Sequence, residues 1–209
     1  MSGERAVFLD AGRDRYFCLG KGLEATFRGL LDGAPASDGG LTDLERLNII
    51  EPGRAGGRAI RPPEPAQIWR SLIEEEAPLS GWRAAVFAEV TLNLAKARFR
   101  LRGQRFGQIL EHLRARKNDR EPAETPGPCE VEAWVSSYNA ARRLVPLKPV
   151  CLQDSLGLLD YLAARRAFPD LVFGVKLAPF AAHCWVQANG VVLNETIDTA
   201  SAYTPILVV

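Results

Sequence analysis

The chain has no Cys-x-x-Cys pair and only two histidines, His112 and His183, among its 209 residues. Its four cysteines, Cys18, Cys129, Cys151 and Cys184, do not have the spacing of zinc ligands, so no metal and no cofactor is implied. Charge of one sign is also missing. Lys and Arg number 26 against 25 Asp and Glu, a net charge of +1. That balance lacks the broad positive field of non-specific nucleic-acid binding, so no nucleic-acid partner is expected. No apolar run approaches the roughly 20 residues that span a bilayer, which removes the membrane as a partner. The opening MSGERAVFLDAGRDRY carries charges where a signal peptide needs an apolar stretch, and the expected location is the cytoplasm. A reducing compartment argues against a disulfide framework. The simplest expectation is that three of the four cysteines are small buried hydrophobes.

What is present is an ordinary globular composition, 47% hydrophobic and 24% charged, with room for one large domain or two small ones. Val7-Phe8-Leu9 and Tyr16-Phe17-Cys18-Leu19 flank the polar turn Asp10-Ala-Gly-Arg-Asp-Arg15, the pattern of a β-hairpin. Leu23, Phe27, Leu30 and Leu31 then form the stripe of an amphipathic helix ending near Gly33. After a glycine-rich break, Thr42-Asp-Leu-Glu45 reads as a capping box that starts a helix with Leu44, Leu47 and Ile50 inward. Residues 53–65, rich in Pro and Gly, read as a linker between a unit at 1–52 and a second at 66–209.

The second unit opens with helices. Ile68, Trp69, Leu72 and Ile73 lead into Pro78, and Trp82 to about Lys117 has helical spacing that Gly103 and Gly107 can interrupt. Val131, Trp134, Val135 and Tyr138 mark another helix, and Cys151 to about Arg166 a further one. Leu171 to Lys176 reads as a buried strand. His183 to Gln187 and Val191 to Glu195 read as a hairpin around Ala188-Asn189-Gly190. Helices followed by antiparallel strands give an α+β layout.

Chemistry concentrates at Cys151. Pro146 and Pro149 forbid a helix running into it, so the helix must start at or just before Cys151. A thiol at a helix N-terminus sits among unpaired amides at the positive end of the dipole, which favours the thiolate. A cysteine nucleophile needs an imidazole in reach, and that base needs an orienting group. His183 is the candidate, because Glu111-His-Leu-Arg places His112 on a solvated helix face. Hairpin register then nominates the third member. A three-residue loop at 188–190 sets 183 opposite 195, making Glu195 the neighbour of His183. A two-residue Asn189-Gly190 loop sets 183 opposite 196, which brings in Thr196 and, diagonally, Asp198, with Asn194 as a further orienting group. The first register is preferred, and Asp198 is the alternative.

Four segments in order, Cys151-Leu-Gln-Asp-Ser-Leu, Phe173-Gly-Val-Lys, Pro179-Phe-Ala-Ala-His-Cys-Trp-Val186 and Val192-Leu-Asn-Glu195, carry a resemblance. Together they are similar to the transglutaminase-like cysteine peptidase of lasso-peptide biosynthesis, over about residues 130–209. Cys184 stands where that family usually has Ala, and Glu195 where it usually has Asp. The hairpin and helices at 1–52 resemble the small winged-helix-like domain that recognises precursor leader peptides in the fused form of the family.

The resemblance implies a papain-like peptidase domain with helices packed on an antiparallel sheet and Cys151, His183 and Glu195 as its triad. It also implies leader contacts at Tyr16, Phe17, Leu44 and Leu47. The expected partners are a lasso precursor and an asparagine-synthetase-like cyclase. The expected activity is removal of the leader through a thioester. Rival readings are a non-catalytic leader-binding scaffold and an acyl-transferring transglutaminase or deamidase on the same fold. A DNA-binding winged helix is the poorest fit, since the helix around Leu44 offers only Arg46 as a cation.

Overall fold

The computed structural model describes residues 5–35, 37–51, 67–75, 84–119 and 126–209. The expected linker at 53–65, with Pro78 and Trp82, lies outside the described residues.

The N-terminal apolar runs pair as β1 (Val7–Asp10) and β2 (Arg15–Cys18), with Phe8 opposite Phe17 and Leu9 opposite Tyr16. Asp10 closes the turn by accepting from the amides of Gly12 and Arg13, each at 3.0 Å. The stripe around Phe27 forms α1 (Lys21–Leu31). Its buried Glu24 accepts from the Ala6 amide at 2.6 Å and pairs with Arg28 at 3.0 Å, which ties helix to strand. Next, α2 (Asp38–Arg46) starts a turn earlier than the Thr42 capping box predicts. Ser37 provides the cap, accepting from the Gly40 amide, while the Thr42 hydroxyl donates back to the Asp38 carbonyl. Two polar caps one turn apart compete for the same helix, and the earlier one adds a turn of hydrogen bonds.

The segment expected to be helical near Ile68 is instead β3 (Arg70–Ser71). A run of so few apolar residues fits either period, and here main-chain bonds to a neighbouring strand decide. The Trp69 amide donates to the Gly190 carbonyl at 3.1 Å and the Leu72 amide to the Val192 carbonyl at 2.9 Å. The long helical pattern divides just past Gly103 into α3 (Ala84–Gly103) and α4 (Phe106–Asn118). After α5 (Pro128–Leu144) and α6 (Cys151–Ala163) come β4 (Asp170–Leu177), β5 (Phe180–Ala188) and β6 (Val191–Val192). The strand after the turn is shorter than the predicted 191–195. The chain ends in α7 (Ile197–Ser201) and β7 (Thr204–Val208), neither of which the sequence pattern predicts.

The strands of the larger sheet run β3-β6-β5-β4-β7. Successive strand residues point to opposite faces. Leu171 and Phe173 on β4, with Cys184 and Val186 on β5, meet Leu94, Val135, Leu156 and Leu162 from the helices. Val172, Trp185 and Val192 form a smaller cluster on the other face with Ala200, Ile68 and Tyr203. Each fully buried large apolar side chain stabilises the fold by about 1.5–3 kcal/mol. Leu9 and Ala11 of the N-terminal hairpin pack against the helix-side core, and the Tyr16 ring lies 5.8 Å from that of Phe180. Among the described residues no helix is long and apolar enough to cross a membrane. The expectation of three buried cysteines is corrected: Cys18 and Cys129 are exposed, and Cys184 alone is buried.

Candidate active site

The approach to Cys151 is held rigidly. Val150 is extended (φ −137°, ψ 116°), and α6 begins at the next residue. Asp154, in the first turn, accepts from the Val150 amide at 3.1 Å and pairs with Arg142 of α5 at 2.8 Å. Arg142 also donates to the Leu147 carbonyl at 3.1 Å, so one guanidinium fixes both the Pro-rich segment and the helix start. The pair is partly buried, so removing one member should cost less than the roughly 3–5 kcal/mol of a fully buried pair.

His183 lies on β5 opposite Gly174 of β4, and its Nε2 is 2.7 Å from Glu195 Oε2. The expected three-residue loop is corrected. Ala188 pairs with Val191, so the turn has two residues, with Asn189 at φ 49° and Gly190 at φ 80°. That is the Asn-Gly turn whose twist suits a tight hairpin. By strict continuation Glu195 would face away from His183, yet the ladder does not continue. The Leu193 amide donates to the Val186 carbonyl at 2.9 Å. The Asn194 side chain then accepts from the Val186 amide at 2.8 Å and donates to Ser155 at 3.1 Å. With a side chain replacing the main chain there, the backbone leaves the sheet and Glu195 turns to the histidine. Glu195 is also fixed by the Thr196 amide at 2.8 Å. Asp198 is exposed in the first turn of α7, and Asn194 serves the sheet edge.

The electrostatics follow from this packing. The Cys151 thiol is pulled down to about 4, chiefly by a hydrogen bond from the Cys184 thiol. Burial opposes the shift, while the His183 hydrogen bond and charge and the Cys184 main chain reinforce it. His183 is raised to about 9 by Cys151 first and Glu195 second, again against burial. Glu195 is held below the usual carboxylate range by His183 and the Thr196 amide. Cys184 is pushed well up by the neighbouring Cys151 and by burial. Since Nε2 faces Glu195, Nδ1 is left for the thiol. The resting pair is therefore thiolate and imidazolium, with a carboxylate behind.

A family model described as the transglutaminase-like superfamily matches residues 93–208. The chain belongs to that superfamily. No curated protein and no solved structure matches it. The transglutaminase-like superfamily includes cysteine peptidases and acyltransferases, both of which use an activated thiol. The transglutaminase-like match runs from within α3 to β7 and contains Cys151, His183 and Glu195.

The N-terminal candidates lie outside the transglutaminase-like match. Phe17 stacks on Phe8 at 5.3 Å, and Leu44 is fully buried, so both serve the packing of their own unit. Leu47 is 53% exposed at the end of α2. Tyr16 is half-buried, and its hydroxyl is pushed up to about 12 by burial, then by Cys184, Asp14 and Cys151. Cys184 entered the sequence analysis only as a residue standing where the lasso-peptide family usually has Ala, and Arg142 was given no role there. A cysteine directly after the candidate histidine was the only available signal for the first.

Proposed function

We propose that this chain is a cysteine peptidase that removes the leader from a ribosomally made lasso precursor, acting in the cytoplasm beside an asparagine-synthetase-like cyclase. The observation that carries the reading is a histidine whose Nε2 is 2.7 Å from a carboxylate, with a thiol at the start of α6 that this histidine helps to pull down. The four lasso-peptidase-like segments supply the substrate class.

In this reading the Cys151 thiolate attacks the carbonyl carbon of the last leader residue, and helix-start amides receive the oxyanion. The C–N bond breaks as the His183 imidazolium gives its proton to the departing amine of the core peptide. The leader is left as a thioester on Cys151. Water then attacks while His183 takes its proton, releasing the leader carboxylate and restoring the thiolate. Glu195 holds the ring and balances its charge. Residues 1–52 act as the winged-helix-like leader-recognition domain, with Tyr16 and Leu47 as its accessible contacts.

The test is mass spectrometry of a lasso precursor encoded beside this gene after incubation with the chain. Separate leader and core masses are expected, with none from Cys151→Ala. Intact precursor with the parent chain would overturn the reading. The superfamily's acyltransferases support a second reading, in which an amine takes the acyl group from the thioester. Incorporation of a small primary amine in place of water would favour it.

A further inference from the structure

The segment Phe173-Gly-Val-Lys176 has so far supplied no chemistry, although it lies directly across the sheet from the histidine. Gly174 pairs with His183 on one side and with Pro205 of β7 on the other, just after an irregularity in the β4–β7 pairing. Tyr203, two residues before Pro205, lays its ring across this row. Its centroid is 5.3 Å from that of His183, with the planes tilted by 35°. Trp185, on the same face of β5, stands 6.3 Å from the imidazole at 27°. Only a glycine permits this overlay. A Cβ on Gly174 would come 2.8 Å from the Tyr203 Cβ and 3.0 Å from the Trp185 ring. Lys176 Nζ stands 5.1 Å from the centroid of the Tyr203 ring.

We infer that Tyr203 is a positioning residue for the reaction: its ring covers the His183 imidazolium and holds it between Cys151 and Glu195, and Gly174 is the gap that admits it. An aromatic face attracts a cation through its quadrupole, so the ring favours the protonated imidazole over the neutral one. It also keeps bulk water from the His183–Glu195 bond, where a drier setting strengthens the charge pairing. The residues from Glu195 to Tyr203 form one short excursion, Glu195 at its start and Tyr203 at its end. A single nine-residue segment, 195–203, therefore brings both the carboxylate and the ring to the histidine. The inference rests on reading Cys151 and His183 as the reacting pair.

The titratable and charged groups facing His183 come from several elements. Cys151 approaches from α6 and Glu195 from the chain after β6, while Cys184, the next residue on β5, points to the opposite face and meets Cys151 there. Tyr203 covers the ring from the β7 side, and Lys176 of β4 reaches the histidine only across the tyrosine. Tyr203→Leu keeps apolar cover and removes the aromatic face together with the hydroxyl. Tyr203→Phe keeps the face and removes the hydroxyl. Gly174→Ala keeps the tyrosine and displaces it.

The experiment is a pH titration of the two histidine Hε1 signals by proton NMR on the full chain, with exposed His112 as internal control. In Tyr203→Leu the His183 midpoint should fall by about 0.5–1 pH unit, a three- to tenfold weaker hold on the proton. Tyr203→Phe should match the parent, and Gly174→Ala should follow Leu. Tyr203→Met, flexible enough to fill the same space, replaces Leu if that variant does not fold. An unchanged midpoint in the Leu or Met variant overturns the inference, and so does an equal fall in Phe. No peptide substrate enters the titration, so a failure of precursor cleavage leaves this result standing, and the reverse also holds.

Discussion

Glu195 Oε2 lies 2.7 Å from His183 Nε2 although the two residues are not partners in any strand pairing. The hairpin register that nominated Glu195 is not the one the chain adopts. Its side chain reaches the histidine because β6 stops at Val192 and Asn194 closes the sheet edge in place of the backbone. Proximity therefore comes from the end of a strand, not from its continuation.

That geometry ranks the carboxylates. Glu195→Ala should lower precursor cleavage by about 10²–10⁴-fold, since both the charge and the orientation of the base are lost. Glu195→Gln should cost less, because its amide oxygen can still accept from Nε2–H. Asp198→Ala should change cleavage less than threefold, an expectation of roughly the size found for exposed sites. Steady-state kinetics on the three variants check the order. An inactive Asp198→Ala beside a normal Glu195→Ala would refute it.

The ion pair sets a pH window. With Cys151 near 4 and His183 near 9, both groups are charged between those values. Lowering pH through about 4 protonates the thiolate, and raising it through about 9 removes the proton that the leaving amine needs. Cleavage should therefore be bell-shaped, while iodoacetamide labelling of Cys151 should fall only on the acid side. Cys184→Ala removes the hydrogen bond that lowers Cys151 most, so the acid midpoint of labelling should move upward. Peptide mapping by mass spectrometry, with Cys151→Ala as background, reads the site directly. A midpoint unmoved in Cys184→Ala would show that His183 and the helix start suffice.

The turn that ends β5 is tested through Gly190. It sits at φ 80°, and a Cβ there would come 2.5 Å from Trp69 Nε1 and 2.6 Å from the Gln67 carbonyl. Gly190→Ala should destabilise the fold by about 1–3 kcal/mol, combining backbone strain with the displacement of Trp69. Asn189→Gly keeps the left-handed turn accessible and should be tolerated far better. Thermal unfolding followed by circular dichroism compares the two. Equal midpoints would contradict this account of the turn.

The sequence alone determined the local chemistry. Two prolines before Cys151 confine the helix start to that residue or just before it, because proline restricts the residue before it and cannot lie inside a helix; the structure starts α6 at Cys151. The apolar run Cys184-Trp-Val186 after His183, closed by the Asn-Gly turn, reads as a hairpin strand, and an imidazole on it is the base available to a thiol. Tertiary structure decided the rest, for identifiable physical reasons. Within the segment around Ile68, Arg70–Ser71 became an edge strand because its main-chain groups found partners on β6, which no local pattern encodes. Ser37 displaced Thr42 as the cap because the two differ only by a turn of helix. Cys184 became the strongest influence on the Cys151 thiol because α6 and β5 pack together, 33 residues apart in the chain. Glu195 and Tyr203 reach His183 because the sheet ends between Val192 and Thr204, and the chain must cross the histidine to rejoin it. Residue type and spacing name the reacting groups, while the contacts that set their charge and orientation arise only when distant elements meet.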